Sequence, residues 1–335
     1  MSTTSSSPRI PDAVIPPRTA DTVDIIATLF DGAAYLGALL ASLNAQTHTD
    51  WRLWLRDDGS TDATAELARQ AAARDRRIEL LDAGGVRLGA AAGFGWLLER
   101  VPASARYVMC ADQDDVWLPH KIARTLAAMR GAEAAGEGPV LVHTDLVVVD
   151  EHLDVIDPSF WHYAGVVPEP ATLRRLIVQN VATGATVMLN RALRERIGRL
   201  PAEAIFQDWW FACVAAVFGR VVAVREPTVL YRQHGANAVG ARAVVRPRWR
   251  ELPRVARDEV AGRARLRAEI ARTATQAAAF LSRYRDELAE ADRRFLQAYA
   301  GLPRYGLVRR KVEIARLWLR RDRGLWRNLG VLLRA

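Results

Sequence analysis

The chain has 335 residues, half of them apolar and a quarter charged, an ordinary balance for a globular protein able to bury a sizeable core. No apolar run approaches the ~18–20 residues of a membrane-spanning helix, and the Ser- and Thr-rich start lacks the basic flank and apolar centre of a signal peptide. Cys110 and Cys213 both lie in apolar runs, which excludes a disulfide framework and leaves a cytoplasmic location as the expectation.

Residues 1–21 carry no periodic apolar pattern and read as a flexible leader. Val23–Leu29 reads as a buried strand, turned by Phe30-Asp31-Gly32 into a helix with apolar Leu36, Leu39, Leu40 and Leu43. Residues 51–56 form a second strand ending in Asp57-Asp58-Gly59-Ser60-Thr61-Asp62, whose small polar residues suit the cap of an Ala-rich helix. Ile78–Leu81 reads as a third strand, and residues 89–100 as a helix behind a Gly-rich approach. Residues 107–111 form a fourth strand leading into Asp112-Gln113-Asp114-Asp115, with Pro119 placed to open the next helix. This alternation predicts an α/β fold, a mostly parallel sheet flanked by helices.

Such sheets bind ligands beyond the carboxyl ends of their strands. Asp57, Asp58, Gly89, Asp112 and Asp114 all fall on that edge, and their convergence is the signal. Carboxylates crowded at 112–115 repel one another unless a cation offsets them, and oxygen ligands of this kind suit Mg²⁺ or Mn²⁺. Taken alone, each stretch also reads as a solvated acidic turn or a helix-capping turn.

In the second half, Val140–Val149 and residues 184–189 read as strands and residues 173–180 as a short helix. Phe206-Gln207-Asp208-Trp209-Trp210 opens an apolar helix running to residue 218, with Asp208 either a cap or a functional acid. Residues 228–234 form a last strand-like stretch ending Tyr231-Arg232-Gln233-His234-Gly235, whose His234 is a structural residue or a ligand. Residues 241–335 read as helical and hold 24 Lys and Arg against 10 Asp and Glu, whereas residues 1–240 hold 23 against 28. That shift places a boundary at 240.

Taken together, Asp112-Gln-Asp-Asp-Val-Trp, Gln207-Asp-Trp-Trp and Leu230-Tyr-Arg-Gln-His-Gly resemble the family-2 glycosyltransferases with the GT-A fold, most closely their rhamnosyltransferase-type branch. The resemblance covers residues 22–240 as the catalytic domain, with 241–335 as an Arg-rich helical extension. It departs at the first strand, where Ala27-Thr28-Leu29-Phe30-Asp31 replaces the family's Pro-Thr-Tyr-Asn. It implies an inverting transfer from a nucleotide sugar, such as dTDP-rhamnose, to a hydroxyl of a lipid-linked or cell-surface glycan. By that resemblance Thr28, Asp57, Asp58, Arg87, Gly89, Asp112, Gln113 and Arg232 bind the nucleotide sugar. Asp114 ligates Mg²⁺ or Mn²⁺ with help from Asp112 and His234. Asp208 matches the family's general base, Gly184 lines the acceptor side, and Trp209 and Trp210 either stack on sugar faces there or belong to the core.

The basic segment carries a further expectation. A helix combining Val312, Ala315, Leu317 and Trp318 with many cations suits the anionic inner face of the plasma membrane, and the alternative is a solvated helix packed on the domain. No base-reading module for nucleic acid is present. Two other functions remain in view: transfer of another hexose from a UDP-sugar, and a non-catalytic nucleotide-sugar-binding scaffold.

Overall fold

A computed structural model describes residues 18–235 and 259–317. In the first half, β1 (Val23–Leu29), α1 (Ala33–Asn44), β2 (Trp51–Asp57), α2 (Thr64–Arg74), β3 (Ile78–Leu81), α3 (Ala90–Arg100) and β4 (Tyr107–Cys110) alternate as the sequence predicts. β1 is mainly apolar because both of its faces are covered. Val23, Ile25, Ala27 and Leu29 enter one core with Leu36, Leu39 and Leu43 of α1, while Ile26 enters the other with Phe94 and Leu97 of α3. β1 pairs in parallel with β2 and β4, and β2 with β3.

The second half holds β5 (Val116–Trp117), α4 (Lys121–Ala134), β6 (Val140–Val149), β7 (Val155–Asp157), α5 (Phe160–Ala164), α6 (Leu173–Leu176), a 3-10 turn (Gly184–Thr186), β8 (Met188–Asn190), α7 (Arg191–Ile197), α8 (Gln207–Phe218) and β9 (Arg220–Arg232). The sheet runs β3-β2-β1-β4-β8-β6-β9-β5, with β7 added beside β6. Here antiparallel pairs enter, because β8 reverses direction between β4 and β6.

Several expectations are corrected. The stretch 184–189 is not one strand: it begins as the 3-10 turn, and only its end joins the sheet as part of β8. Pro119 precedes its helix, which starts at Lys121 behind His120. β9 begins at Arg220 rather than at 228, because Pro227, a poor strand residue, is accommodated where the β6–β9 register jumps from Thr144↔Val224 to Asp145↔Pro227.

The C-terminal helices are α9 (Glu259–Tyr284), α10 (Glu290–Gly301) and α11 (Leu307–Arg316). Leu266, Ile270, Ala274, Ala277, Phe280 and Tyr284 of α9 recur at helical spacing and enter the same core as Trp210 and Phe211 of α8. The boundary read at 240 lies outside the described residues, and beyond it α9 shares this core with α8. No helix among the described residues is long and apolar enough to cross a membrane.

Candidate active site

The loops that follow β1 and β4, and those that follow β2 and β3, are locked together by side chains. The Gln113 amide makes two hydrogen bonds to Phe30, its Oε1 accepting the backbone N–H at 2.9 Å and its Nε2 donating to the carbonyl at 2.7 Å. Gly32 permits this, since a Cβ there would lie 2.3 Å from that amide. Asp58 is buried and takes the N–H groups of Leu88 and Gly89, each at 2.7 Å, together with the fully buried Arg56 guanidinium. Burial raises its pKa, but these donors outweigh it and hold the carboxyl below its ordinary range. Asp58 and Gln113 thus shape the loops at this edge through bonds of their own. Asp57 caps the following turn through Gly59, Ser60 and the Ser60 hydroxyl. The Arg87 guanidinium lies 3.9 Å over the Phe30 ring. Gly89 adopts φ 79° at the entry to α3, and Thr28 has its buried hydroxyl against Gly93 of that helix.

At the next edge, β5 pairs antiparallel with β9, Val116 opposite Leu230, and so carries the 112–115 loop to the end of β9. Arg232 donates from its backbone N–H to Asp115 Oδ1 at 3.1 Å and from Nε to the Asp114 carbonyl at 2.9 Å. His234 Nε2 lies 2.9 Å from Asp114 Oδ2. Tyr35, in the first turn of α1, stacks on the His234 ring with centroids 4.6 Å apart, and Arg232 lies 5.1 Å over the Tyr35 ring. Behind the loop, Lys121 is fully buried, its Nζ 4.5 Å over the Trp117 ring. Burial pushes Lys121 down to about 7, opposed by Asp115, Cys110 and Asp112. Burial, with the neighbouring carboxylates Asp114 and Asp208, pushes Asp112 up to about 7. Asp115 is also raised by burial and by Asp114 and Asp112, and its Oδ2 has no hydrogen-bond partner.

Asp208 stands in the first turn of α8, 7 % exposed. Burial pushes its carboxyl up to about 7, against donors from Trp209, Gly184 and the Asn180 amide. Gly184 leaves space beside it, since a Cβ there would lie 3.4 Å from Asp208 Oδ2. The charge of Asp208 is among the causes that raise Asp112. The indoles take the second of the two roles open to them. Trp209 is buried and donates to the Leu176 carbonyl, and Trp210 is fully buried between α8 and α9 against Phe280. Trp210 is a core residue, because it turns away from the Asp208 side of the helix.

A divalent cation suits this donor set. Asp114 and His234 face each other with a carboxylate oxygen and an imidazole nitrogen, and a nucleoside diphosphate would bring further oxygens. No group of three or more His, Cys, Asp or Glu converges as a metal cluster among the described residues, so the Asp114, Asp112 and His234 trio is not assembled by side chains alone. Four contributors escaped the sequence reading: Tyr35, Arg56, Lys121 and Asn180. Tyr35 occupies a strand–helix junction, the same signal that singled out Asp57 and Asp112. A buried Arg or Lys has no such signal, because its composition reads as surface.

The sheet order, helices on both faces and acids at its carboxyl edge define a GT-A-type fold. The sequence matches the family described as "Glycosyl transferase family 2" over residues 24–193, half of the chain, and the chain belongs to that family. It is 27 % identical over 235 residues to the uncharacterized glycosyltransferase alr2836 of Nostoc sp., covering 64 % of this chain and 66 % of that protein. It is 27 % identical over 171 residues to the putative teichuronic acid biosynthesis glycosyltransferase TuaG of Bacillus subtilis, covering 50 % and 62 %. The chain thus spans just under two thirds of the length of these relatives. Among solved structures, S. aureus TarS 1-349 with UDP-GlcNAc aligns at a TM-score of 0.53 and 13 % identity, covering 88 % of this chain and 79 % of that one. The mannosyltransferase PcManGT of Pyrobaculum calidifontis, solved with GDP-Man and Mn²⁺, aligns at 0.50 and 16 %, covering 93 % and 78 %. At these identities the likeness shows the fold.

Proposed function

We propose that this protein is an inverting glycosyltransferase that moves a sugar from a nucleotide-sugar donor to an acceptor hydroxyl, with Asp208 as general base. The observation that carries the reading is the state of Asp208: a buried carboxyl beside the 112–115 loop, raised to about 7, where a base is most effective near neutral pH. The acceptor oxygen attacks the anomeric carbon while the bond to the diphosphate breaks, and Asp208 takes the acceptor proton. No covalent intermediate is needed. Asp114 and His234 would hold a divalent cation, Mg²⁺ or Mn²⁺, which supplies positive charge to the departing diphosphate. The Mn²⁺ in PcManGT supports that assignment. Asp57, Arg87 and Thr28 face the nucleotide side, and Gly184 the acceptor side.

The donor is read as dTDP-rhamnose from the 112–117, 207–210 and 230–235 motifs. A UDP-hexose is the second reading, favoured by the UDP-GlcNAc complex of TarS. The acceptor is read as a lipid-linked or cell-surface glycan, in line with the name of TuaG. A membrane-side location fits α11, where Val308 and Val312 are 76 % and 57 % exposed on a face flanked by Arg309, Lys311 and Arg316. The apolar Trp318, Leu319, Leu325 and Trp326 lie outside the described residues. Residues 22–240 then supply the sheet and the chemical groups, and the C-terminal helices cover it.

The test is a panel of dTDP-rhamnose, UDP-glucose, UDP-GlcNAc and GDP-mannose, each with Mn²⁺ or Mg²⁺, read by thermal shift and by nucleoside diphosphate release. One donor should stabilise the protein and be turned over. Binding without turnover by any of the four, with lipid-linked acceptors supplied, would favour the scaffold reading.

A further inference from the structure

The helix that carries Asp208 is not secured at its own start. Its N-cap residue, Phe206, offers no capping side chain, and the residue before it, Ile205, sits at the end of the 199–206 connection. An uncapped first turn leaves its entry angle to whatever holds the residues in front of it. That hold comes from the far end of the chain. Gln276, fully buried in α9, accepts the Ile205 N–H at its Oε1 at 2.9 Å across 71 residues. Ile205 lies three positions from Asp208.

The same helix grips α8 along its length. The Trp210 ring lies 5.3 Å from Phe280 and 6.4 Å from Tyr284, and Phe218, in the last turn, lies 5.0 Å from Tyr284. The connection in front of α8 is tied down as well. Arg283 donates to the carbonyls of Ile197 and Arg199, each at 2.5 Å, and the Tyr284 hydroxyl donates to the Arg196 carbonyl at 3.2 Å. These contacts fix α8 from both ends against one rigid neighbour.

A buried amide normally satisfies both of its polar ends. In Gln276 only the oxygen is used, and Nε2 has no hydrogen-bond partner among the described residues. Packing alone would be served at least as well by Met or Leu, which leave nothing unsatisfied. The feature that only an acceptor provides is the bond to Ile205.

We infer that Gln276 is a positioning residue for the catalytic base: α9 belongs to the catalytic unit and sets the place of Asp208 through the Gln276–Ile205 bond. This rests on the reading of Asp208 as base, and it removes the separation between a catalytic domain ending at 240 and an added tail.

The test uses the full chain with Mn²⁺ and whichever nucleotide sugar of dTDP-rhamnose, UDP-glucose, UDP-GlcNAc and GDP-mannose it hydrolyses fastest, following diphosphate release. Gln276→Met keeps the volume and removes the acceptor; kcat should fall about tenfold or more while donor KM stays within about twofold, a loss made only in the transition state. Gln276→Glu keeps an acceptor oxygen and should retain kcat within about threefold. In an Asp208→Asn background, Gln276→Met should cost little more, since two residues acting through one step are non-additive. Wild-type kcat in Gln276→Met, or an equal loss in both backgrounds, overturns the proposal. Should Gln276→Met fail to fold, a tenfold kcat loss in folded Gln276→Glu overturns it as well. Failure of the base assignment itself shows separately, as an Asp208→Asn single variant that turns over normally.

Discussion

His234 Nε2 and Asp114 Oδ2 meet at 2.9 Å although 120 residues separate them in the chain. The β5–β9 pairing brings the two ends together, and Tyr35 stacked on the imidazole fixes the ring from the side of α1. A carboxylate oxygen and an imidazole nitrogen held in this way present two ligand atoms of the kind a divalent cation takes.

Metal and donor should therefore bind as one unit. Calorimetric titration of the nucleotide sugar should show affinity at least about tenfold higher with Mn²⁺ than with chelator, a difference of about 1.4 kcal/mol. Asp114→Ala should remove most of that difference. Equal affinity with and without Mn²⁺ in the wild-type protein would contradict the metal assignment.

Lys121 is predicted to stabilise the fold through the acids around it. Its fully buried amine is raised electrostatically by Asp115 and Asp112 without a direct ion pair, and Nζ has no hydrogen-bond partner among the described residues. Lys121→Met removes the positive charge that offsets those acids and should lower stability by about 1–3 kcal/mol. Urea unfolding monitored by Trp fluorescence measures it. A variant as stable as wild type would mean that the acids are neutral in the folded protein.

Membrane contact should depend on α11. Each cation at an anionic surface contributes about 1 kcal/mol, and the exposed Val308 and Val312 add a part that salt does not screen. The protein should co-sediment with vesicles containing phosphatidylglycerol and not with pure phosphatidylcholine. Val308→Asp with Val312→Asp should weaken that binding while leaving donor turnover intact. Absence of the wild-type protein from the anionic vesicle pellet at low salt would rule the contact out.

Most of the architecture was legible because buried strands announce themselves. Val23–Leu29, Ile78–Leu81 and Val140–Val149 agree with the structure to the residue, being apolar runs bounded by turn residues. The two-residue β5 carries too little pattern to read, yet it is the element that delivers Asp114 to His234. Pro227 concealed the first half of β9. Short motifs singled out Asp114, Asp208 and His234, and the structure brings the first and last of them into contact. The site was illegible where a role depends on partners distant in sequence. Asp58 and Gln113 read as ligand contacts, whereas the structure shows their polar atoms engaged with the loops beside them. Gln276 carries no sequence signal, because a charge count reports the outer face of a helix and not the stripe beneath it.

The most direct measurement of the central claim is the pH dependence of turnover in the wild-type protein and in Asp208→Asn. A base must be deprotonated, so wild-type kcat should rise with pH and level off above about 7, the range to which burial has moved Asp208. Asp208→Asn should lose about 10²–10⁴ in kcat and the acidic limb with it. Donor binding should be unchanged. Its stability has a sign of its own: a folded-state pKa raised above the unfolded value gives stability present at acid pH and lost as pH rises through about 7. Removing the buried charge should consequently raise the melting temperature at pH 8 more than at pH 5. An Asp208→Asn protein that turns over at the wild-type rate with the wild-type pH profile would contradict the account.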